Sequence, residues 1–184
     1  MSVVLRAAAS ERGPALLLRP WEERDIPELI EAYRDPVMLR WTRMHVTDEQ
    51  DARRWVEAQW AGWSGGGRLS FAVLEPGPVA GSLRLVANVV LKGVTRGGPR
   101  AEVGYWTAAW ARGRGVAARA VDRVTIWAFE TFGDDGLECV RLLHQVDNLA
   151  SCRVAHKCGY VLEEVLPARP PFPREGHVHA RYAG

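Results

Sequence analysis

The stretch Arg112-Gly113-Arg114-Gly115-Val116-Ala117 decides how this chain reads. Ahead of it stands Ala101-Glu102-Val103-Gly104-Tyr105-Trp106, a strand-like segment. Behind it, apolar residues recur at helical spacing through Ala117, Ala120, Val121, Val124, Trp127 and Ala128. The order is strand, glycine loop, helix. Glycines at a helix entrance let several backbone N–H groups turn toward one point. The unpaired amides and the positive end of the helix dipole favour an anion there. Arg112 and Arg114 add positive charge, so a phosphate or pyrophosphate is the expected guest. A Gly-x-Gly with basic neighbours is equally the mark of a capped turn, and the flanking sequence separates the two readings.

Outward from the loop, residues 137–145 read as a strand and 149–157 as a short helix stopped at Gly159. Residues 160–166 and 177–182 read as the last strands, separated by a proline-rich loop over 167–173. Upstream, 69–74 and 82–91 have strand character, with a turn at Pro76-Gly77-Pro78 and a glycine-rich hairpin loop over 93–99. Residues 15–20 form a short strand closed by Pro20. Asp25 is placed to cap a first helix carrying Ile26, Leu29, Ile30 and Tyr33, which Pro36 stops. Thr47, ahead of Asp48, Glu49 and Gln50, marks the start of a second helix bearing Trp55, Val56, Trp60 and Trp63, ended by the glycines at 65–67. Residues 1–14 read as a loose leader or a first edge segment. The expectation is one α/β domain over 1–184, with a mixed, mostly antiparallel central sheet and helices on both faces.

Composition narrows the function classes. The chain has 184 residues, 47% hydrophobic and 25% charged, values of a globular protein with a real core. A net charge of +2 calls for no nucleic-acid partner, and a local positive patch suffices for a phosphate-bearing ligand. No apolar run approaches bilayer length, and the N-terminus lacks the regions of a signal peptide, so the expected place is the cytoplasm. Three cysteines without Cys-x-x-Cys spacing argue against a disulfide framework or a zinc ribbon. Cys152 reads as a small buried thiol. His177 and His179 alternate on a strand and are able to share a metal, but no third ligand is evident. They read as a solvated strand face, and no metal is expected.

Downstream of the loop stands Asn148-Leu149-Ala150-Ser151, followed by Val154, His156, Gly159 and Tyr160. With Arg112, Gly115 and Ala117, which meet an Arg/Gln-x-x-Gly-x-Gly/Ala signature, this sequence resembles the GNAT N-acetyltransferase superfamily over 17–182. The Asn-x-x-Ser and Gly-Tyr groups, with Ala-Glu-Val-Gly-Tyr-Trp, look like the branch that acetylates ribosomal-protein N-termini and related amines. The resemblance implies an acetyl-CoA cosubstrate, an amine acceptor, direct attack in a ternary complex, and often a homodimer. It also implies that two central parallel strands splay into a V-shaped cleft for the pantetheine arm. Main-chain amides of Gly113, Arg114, Gly115, Val116 and Ala117, beside Arg112, would hold the pyrophosphate. Tyr105, Trp106 and Thr107 would present backbone groups to the arm and the thioester carbonyl. Asn148 would bond the arm, cap the helix after it, or do both.

For the chemistry, many relatives carry a tyrosine seven residues after the position of Asn148, where this chain has Ala155. The implied proton donor to the leaving thiolate is Ser151, which as a helix serine is equally able to satisfy a backbone group. For the base that frees the amine, Glu102 and His144 are the candidates, with water-mediated deprotonation as the alternative. Trp41, Trp55, Trp60 and Trp63 either wall the acceptor side, Trp41 and Trp55 foremost, or form a helix's core face. Two other functions remain open at this point: transfer of a larger acyl group such as succinyl, and a non-catalytic acyl-CoA-binding regulatory module.

Overall fold

The computed structural model describes residues 3–42, 44–94 and 98–184. Its sheet has eight strands, in the order β1 (Leu5–Ala7), β2 (Leu16–Pro20), β3 (Arg68–Pro76), β4 (Leu83–Lys92), β5 (Arg100–Thr107), β6 (Cys139–Gln145), β8 (Gly176–Tyr182) and β7 (Val161–Leu166). Every neighbouring pair is antiparallel except β5 with β6. Among the described residues five α-helices accompany it: α1 (Ile26–Tyr33), α2 (Pro36–Trp41), α3 (Glu49–Gly65), α4 (Val116–Phe132) and α5 (Leu149–Lys157). This is the expected mixed α/β architecture, and no described helix is long and apolar enough to cross a membrane.

Strands β3 and β4 are buried along nearly their whole length because both faces of the sheet are covered. Phe71 and Val73 point into a core shared with Val121, Val124, Trp127 and Ala128 of α4. Their neighbours Ala72 and Leu74 point the other way, into a second core with Leu29 and Ala32 of α1 and Ala52, Trp55 and Val56 of α3. Strand alternation thus sends successive residues to opposite helical layers.

Several local expectations change. Of the two readings of residues 1–14 the edge segment holds: β1 pairs with β2 at the sheet edge and buries Leu5 and Ala7. Asp25 does not cap α1 through its side chain. Its carboxylate is taken bidentately by Arg19, at 2.8 and 2.7 Å, and also accepts the Glu22 N–H at 2.9 Å. Asp48, one residue after Thr47, caps α3 by accepting the Asp51 N–H at 2.8 Å, while Thr47 bonds the Asp51 carboxylate. Pro36 does not simply end a helix: it opens α2, with Asp35 as the cap accepting the Val37 N–H at 3.0 Å. Residues 95–97 of the expected hairpin loop lie outside the described residues.

The feature that makes a site is the parallel pair. β5 and β6 are in register only from Arg100↔Cys139 to Val103↔Leu142. Beyond that, β5 stays with β4 as far as Ala87↔Thr107, and β6 stays with β8 as far as Gln145↔Gly176. Each strand follows its outer partner, so the two separate at their C-terminal ends.

Candidate active site

Between the separated strands lies a cleft of about 430 Å³, within the size range of small-molecule sites. The end of β5 supplies Tyr105, Trp106 and Thr107. The glycine loop and the first turn of α4 supply Arg112, Gly113, Gly115, Val116 and Ala117. α5 and its cap supply Asn148, Ser151, Arg153 and Lys157, and α2 closes the remaining side with Val37, Met38 and Trp41.

Gly113 and Gly115 both hold left-handed backbone, at φ +77° and +73°, which any other residue adopts only with strain. A Cβ at either position meets no protein atom within 4 Å. Both glycines line the cleft, so they leave a cradle of backbone at the N-terminus of α4 accessible to a ligand. The arginines behave differently from expectation. Arg114 is spent on Glu75, a buried carboxylate it grips at 3.0 and 2.7 Å, and its side chain is absent from the lining. Arg112 does line the cleft but is paired with Asp35. Arg153 and Lys157, one helical turn apart on α5, add two further cations. Sequence reasoning passed over them, although their i, i+4 spacing after Asn148 was visible.

On the β5 wall, the Trp106 Nε1 and Thr107 Oγ1 atoms are buried without a hydrogen-bond partner. Orphaned polar atoms of this kind are uncommon and fit a ligand that brings its own amides and carbonyls. Across the cleft, the Asn148 side chain accepts the Ser151 N–H at 3.2 Å, so it caps α5 and also lines the site. The Ser151 hydroxyl lies 2.9 Å from the Tyr105 hydroxyl, bridging α5 and β5 where they approach. Burial pushes the Tyr105 phenol up to about 12, so it keeps its proton throughout the neutral range. This side chain was expected to matter only through its backbone.

Neither base candidate lines the cleft. Glu102 lies on the paired part of β5, joined to Lys92, and faces a separate shallow depression with Arg100 and Arg141. It shares a strand face with Trp106 but lies four residues back, where β5 is still paired with β6. His144 sits beside His177 and His179 on the other side of α5, its imidazole lowered mainly by burial. No carboxylate or imidazole belongs to the cleft lining among the described residues. Trp41 lines the cleft, whereas Trp55 is a core residue set edge-to-face against Trp21 at 4.7 Å. Trp60 and Trp63 donate to the backbone oxygens of Trp21 and Ser70. His177 and His179 are not a solvated face: His179 is 1% exposed, and Cys152 comes within reach of both.

The overlooked helix α2 is tied to both lips of the cleft. Asp35 joins Arg112 on the glycine loop, and Arg40 joins Asp147, next to Asn148, at 2.8 Å. Asp-Pro at a cap and first helical position was the signal that marks it.

Comparison with known proteins agrees with this geometry. Residues 15–161 match the acetyltransferase (GNAT) domain family. Curated proteins offer no match to the chain. Among solved structures, RimL, a ribosomal-protein α-N-acetyltransferase in complex with coenzyme A, superimposes with a TM-score of 0.81 at 16% identity, covering 98% of each chain. RimJ of Mycobacterium smegmatis, in complex with a CoA disulfide, gives 0.74 at 21% identity over 99% of this chain and 87% of its own. An acetyltransferase of Salmonella typhimurium that modifies the N-terminal serine of a ribosomal subunit protein gives 0.76 at 17% identity, over 92% of this chain and 95% of its own. At such identities the likeness speaks for the fold, and the family match covers most of the chain. The chain belongs to the GNAT acetyltransferases, enzymes that move an acyl group from acyl-CoA to an amine.

Proposed function

We propose that this enzyme acetylates a primary amine, either the α-amine of a protein or peptide or that of a small molecule, by direct attack on acetyl-CoA in a ternary complex. The observation that carries the reading is the Tyr105–Ser151 hydroxyl pair at the throat where α5 approaches β5, in a cleft that the glycine cradle also lines. The cradle's amides and the cations of α5 suit the phosphates, and the orphaned polar groups of β5 suit the amide-bearing arm. The thioester carbonyl then lies near the throat. Attack forms the N–C bond and puts negative charge on the carbonyl oxygen, and its collapse breaks the C–S bond. The Ser151 hydroxyl gives its proton to the departing sulfur and is reprotonated by the proton the attacking nitrogen sheds, directly or through water, while its oxygen accepts from the Tyr105 O–H. With no carboxylate or imidazole in the lining, the ammonium proton leaves to water, and catalysis rests on positioning.

Two measurements test this. Saturating acetyl-CoA, at about 100 times its dissociation constant, stabilises by about 2.7 kcal/mol. For a domain of this size, that raises the melting temperature by roughly 5–10 °C. Release of CoA is then followed with peptides bearing a free Ala or Ser terminus and with their N-acetylated forms as controls. Turnover confined to free amines supports the reading, and no thermal shift removes the cosubstrate site. Ser151→Ala is expected to lower kcat about 100-fold with little change in acetyl-CoA affinity, the lower end for a lost proton donor. Tyr105→Phe is expected to lower it less, because Ser151 remains. Equal turnover by Ser151→Ala and wild type would retire the donor.

The absence of a base has its own signature. An α-amine must be neutral to attack and loses its proton near pH 7.7–8.0, so kcat/KM should rise about tenfold per pH unit below about pH 7.7 and level off above it. A break well below that value, independent of the acceptor's own pKa, would reveal a protein base and overturn water-mediated deprotonation.

A further inference from the structure

Behind α5, on the side away from the cleft lining, four metal-binding side chains converge from three elements. His144 of β6 and His177 of β8 are direct cross-strand partners. His179 lies two residues along β8, on the same face. Cys152 reaches this face from α5. One donor atom from each of the four lies within 4.8 Å of every other. The Cys152 Sγ is 3.4 Å from His177 Nδ1 and 3.8 Å from His179 Nε2. A tetrahedral Zn²⁺ site with Zn–N near 2.05 Å and Zn–S near 2.3 Å has edges of about 3.3–3.6 Å, so the observed separations bracket those of a formed site.

The donor chemistry agrees. The His144 Nδ1 lies 2.8 Å from the Gln145 carbonyl oxygen, which only accepts, so Nδ1 carries the ring proton and Nε2 offers its lone pair. That Nε2 is buried without a partner. A ligating imidazole whose other nitrogen donates to a backbone carbonyl is the usual arrangement around zinc. In the tautomers that turn a lone pair of each imidazole toward the thiol, a cation at their centre satisfies all four facing atoms. Imidazole and thiolate together suit zinc and disfavour the oxygen-seeking magnesium and calcium.

We propose that His144, Cys152, His177 and His179 form a site for one Zn²⁺ ion, held by three imidazoles and a thiolate between α5 and the β6–β8 pair. Four protein ligands leave no open position, so the ion is structural. Binding exchanges the Cys152 S–H proton for the metal and releases one proton per ion. The helix it fastens is the one that carries Asn148 and Ser151, so the ion steadies one wall of the cleft without entering it. His144, Cys152 and His177 are each partly exposed, which gives the ion a way in.

The test uses the full chain without a histidine tag, stripped of metal by chelation under reducing conditions. Zinc is titrated in competition with a chromophoric chelator, and cobalt(II) is titrated separately as a spectroscopic probe. The expected result is one ion per chain with sub-micromolar affinity, one proton released, and a cobalt complex with intense four-coordinate visible bands and a thiolate-to-cobalt charge-transfer band. Cys152→Ser should remove the charge-transfer band and weaken zinc binding about tenfold or more, and His177→Gln should weaken binding while keeping the band. Circular dichroism checks that both variants fold. If either does not, stoichiometry and the cobalt spectrum of the wild type decide. Absence of stoichiometric uptake at micromolar zinc, a cobalt complex without the thiolate band, or undiminished uptake in both folded variants would overturn the site.

Discussion

Gly115→Trp is expected to give a folded protein that has lost acetyl-CoA binding and measurable turnover. Gly115 holds φ +73° immediately ahead of α4, and a side chain there pays about 1–2 kcal/mol of left-handed strain. It meets no protein atom, because a Cβ at this position has nothing within 4 Å. The indole therefore enters open space at a residue that lines the cleft, where the proposed cradle would receive a ligand. Gly115→Ala is the control: it carries the same strain with almost none of the bulk, and should retain part of the binding. Thermal melting with and without acetyl-CoA reads both effects at once. The unliganded melting temperature reports the strain, and the ligand-induced shift reports the cradle. A folded Gly115→Trp protein with an undiminished shift would place the phosphates elsewhere.

The second large effect is on stability. Asp25→Ala should cost about 3 kcal/mol, because it breaks a buried two-pronged ion pair and leaves the Arg19 guanidinium only the Pro20 carbonyl and a 3.4 Å contact with the half-exposed Glu22. Arg19 is 7% exposed and Asp25 3%, and their two-pronged contact joins the end of β2 to the start of α1. Asp25 also accepts the Glu22 N–H, so the same substitution orphans a backbone donor. Urea unfolding checks it through the midpoint. The paired replacement Arg19→Met with Asp25→Leu should recover most of the loss, since it removes both charges and their desolvation together. A cost below about 1 kcal/mol for Asp25→Ala would show that water reaches Arg19.

How far the chain could be read follows from how far apart the deciding residues lie. The run from strand to glycine loop to α4 was legible because period, glycine placement and apolar stripe agree within one window. The bounds of α5 were legible too: Asn148 caps its start and Gly159, at φ +73°, follows its end, both local signals. Pro36 was ambiguous by nature, since proline both stops a helix and opens one, and only the burial of Met38 under α2 resolves it. The pairing of the loop arginines was not legible because their partners, Asp35 and Glu75, lie far away in sequence. Glu102 was placed on the correct strand, but alternation names a face without saying which face meets the cleft. The cluster of His144, Cys152, His177 and His179 depends on the β6–β8 register and on where α5 lies, neither of which any single window contains.

Arg112 stands between two claims. It lines the cleft beside the glycine cradle, yet its guanidinium is already paired with the residue that caps α2. An anion settling on the loop competes with Asp35 for the same charge, and whatever it gains there is taken from the anchoring of α2. Trp41, at the far end of that helix, forms part of the opposite rim. If the proposed anion draws Arg112 from Asp35, occupancy of the loop and the position of α2 are linked, and that linkage runs both ways: a guest that shifts α2 then alters the affinity of the loop by the same factor as the loop's guest alters its own.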